Sequence, residues 1–333
     1  MVASSAVDEF EGNTENAGVV TEKSIGLVGD VGLEGLSEVQ VDPGDSDGRV
    51  AHGWFLGLLG AMEARPLSRK SSEFLQSFSF IVLTGGSSGI GNALLGLVNH
   101  SGTNAVVCNV SRSIPEGWQE GERRRHLTAD LAEPAAIERV AAALRELMPR
   151  EGRILLVNNS GFGAYGEFPA PGLEHTLKMV DVNSRAPVHL TGLLWPDLLQ
   201  RGGCVANLAS LAGYQPVPLM ATYAATKAFL LNWSVALNEE GRERGVRCVA
   251  ICPGPVSTRF FRGAGFSAPT GMPGQTADTC AREALTAMAE GASERATGWS
   301  NRLLGTIAAR LPKSWSAAVG RRVLEHKLGR RAG

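Results

Sequence analysis

The chain has 333 residues, of which 44% are hydrophobic, and its formal net charge is −1. This length and apolar content are enough for a large buried core, in either one extended domain or two. Because the net charge is close to zero, no global electrostatic field attracts nucleic acid. The five cysteines form no Cys-x-x-Cys pair, which favours buried, reduced thiols, and no metal site is predicted.

The two ends of the chain carry opposite charge. Residues 1–50 hold eleven carboxylates against Lys23 and Arg49, whereas residues 299–333 hold eight Lys or Arg against Glu325 alone. Residues 1–78 are predicted to be an acidic, largely disordered extension, because their first fifty residues show no sustained periodicity. The start of the chain has neither a secretory signal nor a transit peptide, which predicts a cytoplasmic protein.

From residue 79 onward, short apolar runs alternate with helical stretches. Unbroken apolar runs indicate strands that are covered on both faces, and therefore a parallel sheet. Repeated strand–helix alternation predicts a doubly wound α/β domain, a Rossmann fold, over residues 79–298. The predicted strands lie at residues 80–83, 105–108, 154–157, 204–208 and 246–251, with a weaker one at 126–128.

A glycine-rich segment at residues 84–91, Thr-Gly-Gly-Ser-Ser-Gly-Ile-Gly, follows the first strand directly and precedes a predicted helix at 92–98. Gly85, Gly89 and Gly91 allow a tight turn. Such a turn brings backbone amides, serine hydroxyls and a helix N-terminus against a pyrophosphate. The strand–turn–helix context predicts a dinucleotide site.

The second strand ends in Ser111 and Arg112, and no carboxylate lies between Gly91 and Glu116. A carboxylate here would hold the ribose hydroxyls of NAD, whereas an arginine accommodates the 2′-phosphate of NADP. The segment therefore favours NADP(H) over NAD(H). Asp130, after the third strand, either contacts the adenine ring or caps the following helix, and both interpretations stay open.

Tyr223 and Lys227 lie four residues apart on one face of a strongly apolar helix. A cation beside a phenol favours the phenolate, so Tyr223 is a candidate proton donor or acceptor. Taken alone, this spacing more often marks an ordinary half-exposed pair on a surface helix, because short motifs match by accident. At residues 158–161, side-chain amides after the fourth strand are expected to brace the sheet and to approach the cofactor.

These motifs together resemble the short-chain dehydrogenase/reductase family over about residues 79–290. The shared elements are the 84–91 segment, residues 158–161, Asn183, Ser210, the Tyr223/Lys227 pair and Pro253-Gly254. One departure is Ser160, where the family usually has alanine.

The resemblance implies that Tyr223 is the acid/base and that Lys227 lowers its pKa and holds the nicotinamide ribose. It also implies that Ser210 binds the substrate oxygen and that Asn183 holds a water linked to Lys227. Pro253-Gly254 would position the nicotinamide and Thr258 its carboxamide. The implied cofactor-binding set is Gly85, Ser87, Ser88, Gly89, Ile90, Gly91, Ser111, Arg112, Asp130, Asn158, Ser160, Gly161, Tyr223, Lys227, Pro253, Gly254, Val256 and Thr258.

The candidate substrate walls are apolar, which predicts a hydrophobic ketone, aldehyde or secondary alcohol. They are Phe162, Tyr165, residues 211–219 and residues 259–272. The predicted activity is that of an NADP-dependent reductase. The alternatives are a non-catalytic NADP-sensing regulator or scaffold, and epimerase or dehydratase chemistry.

The helix that carries Tyr223 is apolar around most of its circumference. It is therefore expected to be buried against the sheet and against another subunit, which predicts a homodimer or homotetramer. Residues 299–333 form a basic amphipathic tail that Pro312 divides into two pieces. This tail is expected to pack on its own domain or to pair with the acidic extension. The alternative is weak peripheral contact with an acidic membrane surface.

Overall fold

Seven parallel strands form the central sheet. In chain order they are β1 (Phe78–Thr84), β2 (Val106–Ser111), β3 (Arg124–Thr128), β4 (Arg153–Asn158), β5 (Gly203–Leu208), β6 (Val246–Cys252) and β9 (Glu294–Ala296). They lie side by side in the order β3-β2-β1-β4-β5-β6-β9. Two short strands, β7 (Val256–Ser257) and β8 (Gln275–Thr276), pair separately. The order reverses between β1 and β4, which opens a crevice at the carboxyl ends of these strands.

This computed structural model describes residues 66–258, 260, 264 and 274–328. The predicted acidic extension lies outside the described residues up to residue 65, as does its proposed pairing with the C-terminal tail. The helices are α1 (Arg69–Gln76), α2 (Gly89–His100), α3 (Pro134–Leu147), α4 (Leu173–Val180), α5 (Ala186–Arg201), α6 (Ala221–Arg242), α7 (Ala277–Glu290), α8 (Trp299–Arg310) and α9 (Lys313–Leu328).

Both faces of the sheet are covered, as the unbroken apolar runs predict. One core layer packs α1, α2 and α7 on the sheet through residues such as Leu75, Leu94 and Leu285. The opposite layer packs α3, α5 and α6 through residues such as Ile137, Leu190 and Leu237. All five cysteines are free and buried within the domain.

The structure confirms the doubly wound parallel sheet and all six predicted strands. Sequence periodicity did not predict β9, whose Glu294-Arg295-Ala296 sequence has no apolar run because it lies at the sheet edge. A π-helical turn, Asp181–Arg185, joins α4 to α5.

The ordered core begins before residue 79. Leu75 on α1 is fully buried, and Leu67 packs against the same core layer. At the other end, residues 299–328 form α8 and α9, and the helical structure is interrupted at Pro312 as predicted. Within the described part of the chain, no helix is long and apolar enough to cross a membrane.

Candidate active site

A cavity of about 790 Å³ occupies the crevice at the carboxyl ends of the strands. The glycine-rich segment and Arg112 border it at one end, and Ser210, Tyr223 and Lys227 line it further along. Most of the predicted site residues therefore meet in one continuous space.

The glycine-rich segment folds tightly against β2 and β4. Gly85 has a φ of +73°, and its N–H donates to Val110 O at 2.8 Å. A Cβ on Gly91 would lie 2.4 Å from Gly85 O, so a side chain does not fit there. Ser88 precedes α2 but makes no side-chain cap, so the first amides of this helix remain available to a bound anion.

Asn109 on β2 holds this segment in place, a role that the sequence reasoning missed. Its side chain is fully buried, and its Oδ1 accepts from Gly86 N at 3.0 Å. Its Nδ2 donates to Ser111 Oγ at 2.9 Å, and Ser111 Oγ donates to Ser113 O at 2.8 Å. A polar residue inside an otherwise apolar strand was the available signal. Arg112 follows, exposed at the edge of the cavity.

Asp130 lines the cavity, so its contact with the adenine ring stays a prediction. The helix-cap interpretation is wrong, because α3 begins at Pro134 with Glu133 as its N-cap, and Asp130 makes only local contacts before it. Its Oδ1 accepts from Ala132 N at 3.1 Å, and its Oδ2 forms an ion pair with Lys178 Nζ at 2.8 Å. Burial acts to raise the pKa of this carboxyl. The hydrogen bonds from Lys178 and Ala132, with the charges of Lys178 and Arg112, outweigh burial and lower the pKa below its usual value.

The Tyr223 side chain is 8% exposed at the start of α6, and its ring packs against that of Phe260. Burial raises the pKa of Tyr223 to about 12, although a hydrogen bond with Ser210 acts in the opposite direction. Ser210 Oγ accepts from Ala212 N at 3.1 Å, which leaves the proton of the Ser210 hydroxyl to be donated.

Lys227 is 5% exposed, and its Nζ donates to Leu208 O at 2.6 Å. The Nζ lies 5.9 Å from the centre of the Tyr223 ring. Burial lowers the pKa of Lys227 to about 8. The expected depression of the Tyr223 pKa by Lys227 is not seen in the protein alone, because burial of the phenol dominates and the ammonium is held by a carbonyl.

Asn183 lies in the π-helical turn and is fully buried behind the cavity. Its Oδ1 accepts from Phe162 N at 3.0 Å, while its Nδ2 donates to Phe162 O and Thr226 Oγ1. A Cβ on Gly161 would lie 3.1 Å from Asn183 Oδ1 and 3.2 Å from Lys227 Nζ. The side chain thus positions the 161–162 backbone beside Lys227 and does not line the cavity. Its predicted contact with a water linked to Lys227 stays a prediction.

Two further predicted cofactor contacts lie behind the cavity wall. The Asn158 amide donates to Asn207 Oδ1 at 2.8 Å and to Thr191 Oγ1 at 3.1 Å, so it braces β4 against β5 and α5. The next residue, Asn159, is the one that lines the cavity, because successive strand residues face opposite sides. Gly91 is likewise turned away, where it packs on the Gly85 backbone.

The Pro253-Gly254 turn borders the cavity at the end of β6. Pro253 O accepts from Leu211 N at 2.8 Å, which ties this turn to the segment after Ser210. The Asn301 side chain of α8 packs on Gly254, where a Cβ would lie 2.3 Å from Asn301 Nδ2. Thr258 also lines the cavity, and its methyl group would lie 3.4 Å from a Cβ on Gly89.

Helices α8 and α9 and the two residues that join them are together called the roof, and they cover the cavity beside residues 211–220. Gly305 allows α8 to approach Leu211 and Tyr214, and Lys313 Nζ donates to Tyr214 O at 3.1 Å. The predicted walls Phe162, Leu211, Val217 and Phe260 line the cavity, Tyr165 does not, and Phe261 and Phe266 lie outside the described residues. The roof contributes Leu304, Ile307, Ala308, Leu311, Ser316, Val319, Gly320 and Val323.

The sequence reasoning did not assign the roof to the site. The signal was the three- and four-residue spacing of Leu304, Ile307, Ala308 and Leu311, which predicts an apolar helix face but not what that face covers.

The residues present fit a dinucleotide. The open amides at the start of α2 suit a pyrophosphate, and the side-chain-free surface at Gly85 and Gly89 permits close approach of its oxygens. Arg112 and Ser113 at one end, and Tyr223 and Lys227 at the other, supply polar groups along the same cavity.

Comparison with known proteins agrees with this geometry. Residues 79–265, more than half of the chain, match the sequence model of short chain dehydrogenases. Serine 3-dehydrogenase of Agrobacterium fabrum is 32% identical over 199 residues, which cover 54% of this chain and 73% of that protein. Very-long-chain 3-oxoacyl-CoA reductase of Mus musculus is 28% identical over 246 residues, 70% of this chain and 75% of that protein.

Solved structures show the same architecture. A short-chain dehydrogenase from Sphingobium yanoikuyae in complex with NADPH superimposes with a TM-score of 0.58 at 25% identity, covering 76% of this chain and 97% of that one. A short chain dehydrogenase/reductase from Burkholderia phymatum in complex with NAD gives a TM-score of 0.59 at 20% identity, covering 70% and 93%. At 20% identity, the comparison with the Burkholderia phymatum protein shows a shared fold and nothing further.

Proposed function

Because this chain belongs to the short-chain dehydrogenase family, we propose that it is an NADP(H)-dependent oxidoreductase that reduces an apolar ketone or aldehyde. The observation that carries the proposal is the meeting of Ser210, Tyr223 and Lys227 in the same cavity as the glycine-rich segment.

The proposed reaction combines a hydride and a proton. A nicotinamide dinucleotide, when bound, supplies or accepts the hydride. Ser210 donates a hydrogen bond to the substrate oxygen, where negative charge develops, and Tyr223 Oη delivers the proton to the same oxygen. The Lys227 ammonium stabilises the phenolate that remains. The apolar walls exclude water, which strengthens these electrostatic contacts.

The state of Tyr223 supports the reductive direction. With a pKa raised to about 12 by burial, the phenol keeps its proton at neutral pH. A protonated tyrosine is ready to donate to a carbonyl oxygen, whereas alcohol oxidation requires the phenolate as a base.

NADP(H) is the proposed cofactor because Arg112 lies at the cavity edge, where β2 ends. The Asp130 carboxylate nearby forms an ion pair with Lys178, which reduces its repulsion of a 2′-phosphate. The solved Sphingobium relative was determined with NADPH, which agrees with this choice.

An apolar substrate is supported by the cavity lining. Phe162, Val217, Met220 and the apolar roof residues surround the space beside Tyr223. The very-long-chain 3-oxoacyl-CoA reductase is therefore the better guide among the relatives than the serine 3-dehydrogenase, whose amino acid substrate is small and charged. An NADP-sensing regulator is disfavoured, because a sensor needs no positioned proton donor.

A screen of NADPH oxidation with aliphatic, aromatic and steroidal ketones and aldehydes tests the proposed function. We expect turnover with apolar carbonyl compounds and little with sugars or amino acids. NADPH binding without turnover of any carbonyl compound would favour the sensor.

A homodimer or homotetramer is part of the proposal. On α6, the Phe229 and Trp233 rings stack with centroids 6.5 Å apart, and Phe229 is 47% exposed. Val188 on α5 adds a further exposed apolar side chain, so this surface suits an isologous contact with a second copy. Light scattering should report an oligomer for the wild type and a smaller species for Phe229→Glu.

Weak contact with an anionic membrane surface is the remaining part of the proposal. Trp299, Leu303 and Trp315 on the roof are 78%, 57% and 68% exposed and do not line the cavity. Arg310, Lys313 and Arg322 are exposed on the same helices. In flotation with phosphatidylglycerol vesicles, the double variant Trp299→Ser with Trp315→Ser should bind less than the wild type and less than the control variant Ile114→Ser. Equal binding by all three proteins would contradict the membrane contact.

A further inference from the structure

The roof gives the cavity one buried polar group among the described residues. Ser316 is 3% exposed and lines the cavity, whereas the other roof residues that do so are apolar or glycine. Its neighbours along α9 on the cavity side are Val319, Gly320 and Val323. A hydroxyl in such surroundings loses its contact with water and needs a hydrogen-bond partner.

No described residue supplies such a partner. The Ser316 hydroxyl is buried and makes no hydrogen bond with any described residue. A helical serine commonly bonds to the carbonyl four residues earlier, which here is Pro312 O. That carbonyl already accepts from Trp315 N at 3.0 Å and from Ser316 N at 3.1 Å. Both of its lone pairs are therefore used, which leaves the hydroxyl of this cavity-lining residue without a partner among the described residues.

We propose that Ser316 is a substrate-binding residue, and that the substrate is an apolar carbonyl compound with a second hydrogen-bonding group remote from the reacting carbonyl. The proposal rests on the proposed function, since it assumes that the reacting carbonyl lies at Ser210 and Tyr223. The second group is a hydroxyl, carbonyl or ester oxygen, because the roof offers it a neutral donor and acceptor and no charge. Leu311, Val319 and Val323 hold the apolar part between the two polar ends.

This site discriminates in a predictable way. A substrate that lacks the second group leaves the Ser316 hydroxyl buried and unpaired, as it is in the protein alone. A substrate that has the group at the right distance gains a hydrogen bond in a dry environment. Selectivity therefore depends on the position of the second group along the substrate and not on its presence alone.

The kinetic test compares two series of probes of six to about fourteen carbons: straight-chain 2-ketones, and the same ketones with a terminal hydroxyl. For the wild type we expect kcat/KM to favour the hydroxyl compound about three- to tenfold at one chain length or two neighbouring lengths, the range of one neutral hydrogen bond. Ser316→Ala should abolish this preference, so that kcat/KM for the two compounds of each chain length becomes equal. The matched control is Ser314→Ala, at an exposed position on the same helix outside the cavity, and it should keep the preference.

A wild type without preference at any chain length, or a preference that survives in Ser316→Ala, would overturn the proposal. Failure to reduce any plain ketone would instead count against the proposed function.

Thermal unfolding of the protein without ligand gives an independent test that needs no turnover. Because the Ser316 hydroxyl has no partner among the described residues, its removal should leave Tm unchanged or raise it. A fall in Tm of several degrees would show that the protein satisfies this hydroxyl, and would overturn the proposal even if no substrate were found.

Discussion

Lys227 is held in the active site at a cost in stability. Its ammonium is almost fully buried and donates a hydrogen bond to one carbonyl, Leu208 O. Burial lowers its pKa to about 8. A buried lysine is expected to persist where its charge has a function, for which we propose the stabilisation of the Tyr223 phenolate.

Lys227→Met should show this cost as a pH-dependent gain in stability. The unfolded lysine binds a proton up to its ordinary pKa of 10.5, whereas the folded one releases it near 8. The penalty is therefore fully present below pH 8 and disappears as the pH rises toward 10.5. In unfolding experiments at pH 7, Lys227→Met should be more stable than wild type, with a difference that narrows by pH 10. Lys70→Met, at an exposed position, serves as control and should show no such trend. A pH-independent difference for Lys227→Met would contradict the lowered pKa.

Arg112 should decide between the two nicotinamide cofactors. If Arg112 binds the 2′-phosphate as proposed, Arg112→Ala removes a charge-assisted hydrogen bond, and Kd for NADPH should rise about ten- to a hundredfold. Kd for NADH should change less than about twofold, because NADH has no phosphate there. Fluorescence titration measures both constants, and Arg123→Ala provides a control at an arginine outside the cavity. Equal weakening of the two cofactors would refute the assignment to the 2′-phosphate.

At the scale of single elements, the turn before α2 depends on close contact between the backbone at Gly91 and the backbone at Gly85. Gly91 lies under the Gly85 carbonyl, and its neighbour on the same helix, Gly96, has nothing within 4 Å of an added Cβ. Alanine substitutions at these two glycines therefore distinguish the effect of helix propensity from the effect of close packing.

Gly91→Ala and Gly96→Ala should change stability in opposite directions. Alanine at Gly96 should stabilise the protein by about 0.5–1 kcal/mol, because it lowers the entropy cost of the helix. Alanine at Gly91 should destabilise it and weaken NADPH binding, because its Cβ would displace the Gly85 carbonyl or the Asn159 amide. Urea unfolding and cofactor titration measure the two effects. Destabilisation by both substitutions would show that the loop geometry is not the cause.

At the scale of the whole molecule, the sequence was sufficient for six of the seven strands of the central sheet and for most residues that line the crevice at its switch point. Strands such as β1 and β4 are unbroken apolar runs, and Gly85 and Tyr223 lie in motifs whose spacing follows from the fold. The exceptions were residues whose side chains point away from the cavity. Asn158 and Asn183 carry motif positions, but strand alternation and the π-helical turn direct them into the interior.

The roof could not be predicted because its partner is far away in sequence. Periodicity shows that residues 304–311 have an apolar face, but only the folded chain shows that this face lies over residues 211–220. The pKa values of Tyr223 and Lys227 likewise depend on burial that no local pattern reports. The roof and the candidate site together line one largely apolar cavity, with the proposed proton donor on α6.

The most direct test of this account is Tyr223→Phe, measured for both turnover and NADPH binding. The substitution removes one hydroxyl and keeps the ring that packs on Phe260. We predict that kcat/KM for an apolar ketone falls by at least about a hundredfold, the contribution of a positioned general acid, while Kd for NADPH changes less than about threefold. Turnover within a few fold of wild type, with NADPH still bound, would contradict the assignment of Tyr223 as the proton donor.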